Sequence, residues 1–217
     1  MFNFKSIFDR FLDLFFPRVW GGCGKEGMYI CTDCEIKLKM GGSTVLEGEF
    51  GEVYIACEYS GDGLIGRLIK QFKYKFSEEV SETLGRIVVD RVEGVIDWNE
   101  IDCLVPVPIS RERMRWRGFN QAELLSDAIS DDLGGKVRVD KNVLFKVKDT
   151  LPQAGLNRRE RLENLKGAFE ARSNVPKTIC LVDDVYTTGT TLNECARALR
   201  ARGAERVFGL VIAKKTV

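Results

Sequence analysis

TICLVDDVYTTGTT, residues 178–191, joins an uninterrupted apolar run to two adjacent acids and a threonine-rich turn around one glycine. The segment TICLVDD, residues 178–184, is apolar up to its two terminal acids. It predicts a central strand of a parallel sheet, because such strands are buried on both faces. Asp183 and Asp184 then stand at the carboxyl end of the strand, where open α/β sheets bind their ligands. The stretch therefore predicts a ligand site at this edge of a sheet.

The residues after the acids, VYTTGT at 185–190, predict a loop between this strand and a helix. Thr191 and Glu194 have capping-box spacing, and Leu192 begins the apolar stripe of a helix that ends at Gly203. Hydroxyls and N–H groups at a helix N-terminus suit a phosphate. The Walker A pattern is absent. The acids favour a sugar phosphate, whose hydroxyls they can bind, over an ordinary loop with a helix cap.

Strands and helical patterns alternate along most of the chain. The predicted strands are VYIACEY (53–59), IDCLVPVP (101–108), VLFKV (143–147), TICLVDD (178–184) and RVFGLVIA (206–213). This alternation implies parallel pairing with crossover helices. We therefore expect an α/β fold with a mostly parallel sheet flanked by helices, over residues 51–217, preceded by a small N-terminal module at 1–50.

The composition excludes several kinds of chemistry. Lysine and arginine (33) nearly balance aspartate and glutamate (32), so any electrostatic preference must come from local clusters. Histidine is absent from the sequence, so proton transfer must use other groups and a transition metal must be held without imidazole. The cysteines, seven in a chain without an export signal, favour reduced thiols or metal ligands over disulfides.

Residues 1–20 are rich in phenylalanine with three-and-four spacing, which predicts an amphipathic helix up to Pro17. Charged residues interrupt its apolar runs well short of a membrane span, so we expect a cytoplasmic protein without a membrane-spanning helix. In one interpretation the apolar face packs on the rest of the chain. In the other it meets a partner or a membrane surface.

The segment from Asp183 to Thr191 carries a resemblance to a known class of enzyme. Its acid pair after four apolar residues, its two spacers and its run from Thr187 to Thr191 resemble the motif with which type I phosphoribosyltransferases bind phosphoribosyl pyrophosphate (PRPP). Three further stretches resemble the ComF family over nearly the whole chain. They are VPVPISRERMRWRGFNQAELL (105–125), LPQAGLNRRERLENLKGAF (151–169) and FFPRVWGGCGKEGMYICTDC (15–34).

The resemblance implies a type I phosphoribosyltransferase-like fold and a set of ligand contacts. Asp183 and Asp184 would meet the ribose 2′- and 3′-hydroxyls. The loop formed by Thr187, Thr188, Gly189, Thr190 and Thr191 would hold the 5′-phosphate. The loop after VPVP would face the pyrophosphate with the help of Mg²⁺.

Four arginines alternate along the segment RERMRWRGF, at Arg111, Arg113, Arg115 and Arg117. The segment is predicted to be a loop before a helix that Asn120 caps, with Glu123 three residues later. The clustered guanidinium groups repel one another, and an anion relieves the repulsion. Three interpretations remain: a mobile loop that grips pyrophosphate, a surface for single-stranded nucleic acid with stacking on Trp116 and Phe119, and a solvated charged loop.

A second block matches the family without an independent physical account. The matching positions are Gln153, Arg161 and Asn164, and they either contact a ligand or tie the loop to the sheet through hydrogen bonds. Lys73 and Tyr74 match another family position, with the same two interpretations.

Cys31 and Cys34 form a CxxC pair, and Cys23 precedes them. Relatives place a second CxxC here, but position 20 is Trp20. A closed structural zinc site has four ligands, so this departure weakens the zinc prediction. The remaining candidate ligands are Asp33, Glu35, Cys57 and water. Without zinc, Trp20 would serve as an apolar nucleus of the module.

Two classes of function follow from the resemblance. As an enzyme, the protein would transfer the phosphoribosyl group, with Asp183 and Asp184 stabilising positive charge on the ribose while pyrophosphate leaves. As a binding protein, it would handle single-stranded DNA in natural competence beside a ComFA-like translocase, with little or no turnover. An enzyme of nucleotide salvage and a PRPP-sensing regulator are further alternatives. The acceptor is open, because no base-specific pocket is recognisable.

Overall fold

The computed structural model describes residues 30–39, 43–48, 50–59, 63–74, 78–148, 150 and 158–215. A 3₁₀ turn at Trp98–Glu100 precedes the third strand. The helices and strands of the described residues are α1 (Thr32–Lys39), β1 (Thr44–Gly48), β2 (Gly51–Tyr59), α2 (Leu64–Tyr74), α3 (Glu78–Val92), β3 (Cys103–Pro106), α4 (Arg111–Arg117), α5 (Gln121–Asp132), β4 (Leu144–Lys146), α6 (Arg158–Leu165), β5 (Phe169–Ala171), β6 (Thr178–Tyr186), α7 (Thr190–Arg200) and β7 (Arg206–Lys215).

A five-stranded sheet in the order β1-β2-β7-β6-β3 forms the centre of the fold. The pairs β2–β7, β7–β6 and β6–β3 are parallel, and the edge strand β1 is antiparallel to β2. This arrangement confirms the predicted α/β fold with a mostly parallel sheet flanked by helices, of the type I phosphoribosyltransferase-like kind. The short strand β4 pairs with β5 in a separate antiparallel ribbon.

The central strand β6 is buried on both faces, as its unbroken apolar run predicts. Cys180 and Val182 belong to the apolar cluster that includes the buried faces of α2, α3 and α5. Ile179 and Leu181 point to the opposite cluster, with α7 and the β4–β5 ribbon. Because full burial of each large aliphatic side chain stabilises by about 1.5–3 kcal/mol, the two layers hold the end of β6 in a fixed place.

Helix α1 packs on the same layer as α2 and α3. Cys31, Cys34 and Leu38 are buried in that cluster, and Glu35 forms an ion pair with Arg86 of α3, with Oε1 2.8 Å from Nη2. Strand β1, which the sequence assigned to the N-terminal module, pairs with β2. The domain boundary at residue 50 stays a prediction, because residues 1–29 lie outside the described ranges.

The Phe-rich segment at 1–20 also lies outside these ranges. Among the helices that are described, none has an apolar stretch long enough to cross a membrane.

Candidate functional site

Strand β6 extends further than the sequence predicted. It continues through Val185 and Tyr186, which pair with Ala213 and Lys214 of β7. The predicted loop at 185–190 is therefore too long, and the connection to α7 consists of Thr187, Thr188 and Gly189. The extra pairing arises because β7 runs on to Lys215 and offers a backbone partner beyond the acids. The acids consequently lie within the hydrogen-bonded strand, two residues before its end, rather than at the end itself.

The predicted capping box is wrong. Helix α7 begins at Thr190 with Gly189 as its N-cap, and this cap makes no side-chain hydrogen bond. Glu194 instead accepts a hydrogen bond from the Gly167 N–H at 3.1 Å and pairs with Arg197 at 2.8 Å. The first turn of an α-helix has N–H groups that no intrahelical carbonyl satisfies. The start of α7 is therefore arranged like an anion site rather than a capped helix end.

The turn before α7 is compact. Gly189 has a φ of 74°, and a Cβ placed on it would lie 2.8 Å from Tyr186 Oη. The hydroxyls of Thr188 and Thr190 lie 2.9 Å apart. The position therefore requires glycine for two separate reasons, conformation and space.

A cavity of about 320 Å³ opens in front of this turn. Its volume falls at the small end of the range for small-molecule sites, roughly 300–1,000 Å³. Six of the predicted PRPP-binding residues line it, namely Asp183, Asp184, Thr187, Gly189, Thr190 and Thr191. Thr188 belongs to the turn but does not line the cavity. Basic residues from other elements complete the wall, namely Lys73, Arg113, Arg117 and Lys146.

The acid pair is held by contacts at both carboxyl groups. Asp184 Oδ2 lies 3.0 Å from Lys73 Nζ, and Asp183 Oδ1 accepts the backbone N–H of Asp184 at 2.8 Å. Desolvation and then the charge of Asp184 raise the pKa of Asp183 to about 7, against the opposing effects of that N–H and of Lys73 and Arg113. Near neutral pH the Asp183 carboxyl is therefore poised to hold or release a proton.

The arginine segment is a helix, not the predicted loop. Ser110 caps α4 by accepting the Arg113 N–H at 3.2 Å, and Gly118 ends it in the left-handed conformation. Alternate residues on a helix point roughly 200° apart, so the arginines divide into two pairs. Arg113 and Arg117 line the cavity, whereas Arg111 and Arg115 are exposed and do not.

Asn120 and Gln121 connect α4 to the rest of the site. Asn120 caps α5 as predicted, accepting the Ala122 N–H at 3.1 Å and donating to Glu123 Oε1 at 3.2 Å. Gln121 Oε1 accepts from Arg117 Nη1 at 2.8 Å, and its Nε2 donates to the Lys73 carbonyl at 3.4 Å. One buried amide thus lies between a cavity arginine and the lysine that pairs with Asp184.

Several lining residues were outside the sequence interpretation of the site. Lys146 and Phe169 come from the β4–β5 ribbon, and Tyr59 from the end of β2. Lys146 Nζ lies 5.5 Å from the centre of the Phe169 ring. A short strand pair carries no local motif, so nothing in the sequence signalled that its side chains line the same cavity as the acids.

The second family block is only partly described. Arg161 and Asn164 belong to α6, which leads through Gly167 to β5, and Gln153 lies outside the described residues. Their roles stay predictions.

The cysteine module likewise leaves zinc untested. Cys31 and Cys34 stand at the start of α1, where the Cys31 carbonyl accepts the N–H groups of Cys34 and Glu35 at 2.9 Å, and Cys23 lies outside the described residues. Within the described part of the chain, no three potential metal ligands come together. Zinc at Cys23, Cys31 and Cys34 stays a prediction.

Known proteins resemble this chain in sequence. No family model matches it. Competence protein F of Haemophilus influenzae is 33% identical over 199 residues, which cover 88% of this chain and 82% of that protein. DNA utilization protein YhgH of Escherichia coli K12 is 33% identical over 144 residues, 64% of this chain and 63% of its own length. Competence protein ComFC of Bacillus subtilis is 27% identical over 185 residues, 80% of this chain and 67% of its own length.

The fold and the cavity define an α/β protein of type I phosphoribosyltransferase-like architecture, with an acid pair and an N-terminal helix turn facing one pocket. Together with the similarity to competence protein F over most of both chains, the matches identify the family. The chain belongs to the ComF family.

Proposed function

We propose that this protein binds PRPP with Mg²⁺ in the cavity and handles single-stranded DNA during DNA uptake. The observation that carries the PRPP proposal is the meeting of Asp183, Asp184 and the uncapped start of α7 in one pocket. A sugar phosphate presents hydroxyls and an anion together, and this pocket offers carboxylates and a helix N-terminus together. Names of relatives, competence protein and DNA utilization protein, support the role in DNA uptake.

The basic residues of the pocket fit a pyrophosphate. Arg113 and Arg117 project from α4 into the cavity, and Lys73 enters from the end of α2. Arginine forks match phosphate oxygens, while a lysine supplies a mobile point charge. Because Lys73 pairs with Asp184, binding of PRPP would exchange that contact for one with the ligand.

The donor set also fits Mg²⁺. The carboxylate oxygens of Asp184 are ligands of the kind that Mg²⁺ prefers, used together with substrate phosphates and water. When bound with PRPP, the ion would supply positive charge that offsets the charge of the pyrophosphate. The arginines of α4 would share that task from the protein side.

Transfer is the chemical step that the pocket supports. The bond between the ribose anomeric carbon and pyrophosphate would break as an acceptor atom bonds to that carbon, and the leaving pyrophosphate would keep the electron pair. Asp183 and Asp184 would stabilise the positive charge that develops on the ribose. The raised pKa of Asp183 fits a group that receives the acceptor's proton near neutral pH.

Calorimetric titration with PRPP and Mg²⁺ tests the ligand. We expect the variant Asp183→Asn, Asp184→Asn to lose at least tenfold in affinity, since hydrogen bonds to charged groups contribute about 1.5–3 kcal/mol each. The adjacent acids Asp131 and Asp132 are exposed at the end of α5, so Asp131→Asn, Asp132→Asn is the matched control. Equal binding by wild type and the first variant would refute the ribose role of the acids.

A pull-down with a ComFA-like translocase from the same source tests the partner proposal. It should recover the complex with wild type and with the Asp183, Asp184 variant alike, because their side chains line the cavity rather than the outer surface.

A further inference from the structure

A second, smaller cavity of about 140 Å³ adjoins α4. Trp116, Arg113, Glu112 and the helix cap Ser110 line it, together with Thr150. Arg113 is the one residue that lines both this cavity and the larger one, among the residues described. The two cavities therefore meet at a single residue, Arg113.

Trp116 is unusually open to solvent. Its exposed fraction is 68%, the largest among the bulky apolar side chains that the structure describes. The Arg117 guanidinium carbon lies 5.9 Å from the centre of the ring system. Exposed indole surface costs free energy in water, and an aromatic ring beside guanidinium groups is a known platform for a nucleobase.

Helical geometry orders the groups around α4. At roughly 100° per residue, Trp116 stands between Glu112 and Arg113, and Arg117 follows on the far side of Arg113. A base on Trp116 would then have Glu112 on one flank and Arg113 on the other. The negative charge of Glu112 directs an attached phosphate to the Arg113 side, toward the larger cavity.

We propose that Trp116 and Arg113 form a subsite for one nucleotide of a single strand, with the base on Trp116 and its phosphate on Arg113. This subsite rests in part on the proposed function, because the phosphate of the strand and the pyrophosphate of PRPP would compete for Arg113. A strand is the occupant that the exposure favours. An acceptor base for transfer would have to lie against the ribose beside Asp183, whereas Trp116 does not line that cavity.

Equilibrium binding of a fluorescently labelled oligodeoxythymidylate tests the base contact. Trp116→Ala should weaken binding about tenfold, the effect of losing one stacked base, and Trp116→Phe should restore most of it. On a strand of equal length made of abasic nucleotides, the Trp116→Ala and wild-type proteins should bind alike. Met114→Ala is the control, because Met114 is an exposed apolar residue of the same helix that lines neither cavity.

Unchanged binding of oligodeoxythymidylate by Trp116→Ala would overturn the subsite. An equal loss on the abasic strand would overturn it as well, because the ring would then act on something other than the base. Trp116 is exposed, so this substitution leaves the two buried clusters intact.

Competition with inorganic pyrophosphate tests the shared arginine. Pyrophosphate should displace the strand from the wild-type protein, and Arg113→Gln should weaken the binding of both the strand and pyrophosphate. Arg111→Gln, the matched loss of one charge on the other side of α4, should leave the pyrophosphate affinity unchanged. Simultaneous binding of both ligands without mutual weakening would overturn the sharing of Arg113. If pyrophosphate does not bind the wild-type protein, the PRPP proposal fails, and so does the proposal that both ligands use Arg113. The comparison of wild type with Trp116→Ala on oligodeoxythymidylate still decides the base subsite.

Discussion

At the scale of single residues, Gly189 determines the shape of the turn between β6 and α7. Its φ of 74° is a conformation that costs an L-residue roughly 1–2 kcal/mol. Its missing side chain also leaves room for Tyr186, whose Oη would lie 2.8 Å from a Cβ. The turn therefore brings the Tyr186 hydroxyl close to a backbone that lines the cavity.

We expect Gly189→Ala to lower both stability and PRPP affinity. The left-handed strain contributes roughly 1–2 kcal/mol, and displacement of Tyr186 adds a further loss that also moves the turn. Gly134→Ala is the control, since Gly134 has a φ of 66° with no atom within 4 Å of the added Cβ. Urea unfolding and PRPP titration of both variants separate strain from contact. If the two variants behave alike in both measurements, the Tyr186 contact has no role.

At the scale of elements, the sequence predicted four of the five strands of the main sheet, the mostly parallel pairing and the position of the acids. It missed the edge strand β1, and the predicted strand at 143–147 belongs to the separate antiparallel ribbon. It failed where tertiary contacts decide an element. The run RERMRWR was missed for a local reason instead: it has four like charges and little apolar periodicity, yet the caps Ser110 and Gly118 make it a short helix. The end of β6 was also missed, since its extension depends on pairing with β7.

Gln121 connects α4 to Lys73 of α2, which in turn pairs with Asp184 of β6, and this chain of contacts gives a prediction about coupling. Replacing Gln121 with Leu removes the acceptor of Arg117 and the donor to the Lys73 carbonyl, so both cations lose a fixed position. We expect PRPP affinity to fall about tenfold, as for the loss of a hydrogen bond to a charged group. Adding Arg117→Met to the Gln121→Leu variant should lower PRPP affinity by less than Arg117→Met lowers it in the wild-type protein.

Ser126→Ala is the control for this prediction. Ser126 is a fully buried polar residue one turn or more further along α5, bonded to the Ala122 carbonyl at 2.7 Å, and it does not line the cavity. It should lower stability without changing PRPP affinity. Additive effects of Gln121→Leu and Arg117→Met would show that the two residues act independently.

At the scale of the whole molecule, two buried clusters hold a sheet whose carboxyl edge carries the strained and charged groups. The core side chains of β6 alternate between the clusters, and the same strand then presents Asp183 to a desolvated pocket. The favourable burial of the strand offsets the cost of the acids. A site of this kind should make the stability of the entire fold depend on pH.

The sign of that dependence follows from Asp183. Its folded-state pKa is raised to about 7, above the value of about 4 expected for an unfolded aspartate. Between these values the folded chain holds a proton that the unfolded chain has released. The contribution of Asp183 to stability is therefore fully present below about pH 4 and is lost as the pH rises toward 7.

Urea unfolding of wild type and Asp183→Asn at pH 5 and pH 8 measures this effect. We expect Asp183→Asn to gain roughly 1–3 kcal/mol over wild type at pH 8 relative to pH 5, because the effect accumulates over about two pH units in this interval at about 1.4 kcal/mol each. Asp131→Asn controls for the loss of one negative charge at an exposed position. A difference between wild type and Asp183→Asn that is the same at both pH values would contradict the raised pKa. A larger difference at pH 8 would mean that the carboxyl has been kept at a cost in stability, as expected of a group held for binding or proton transfer.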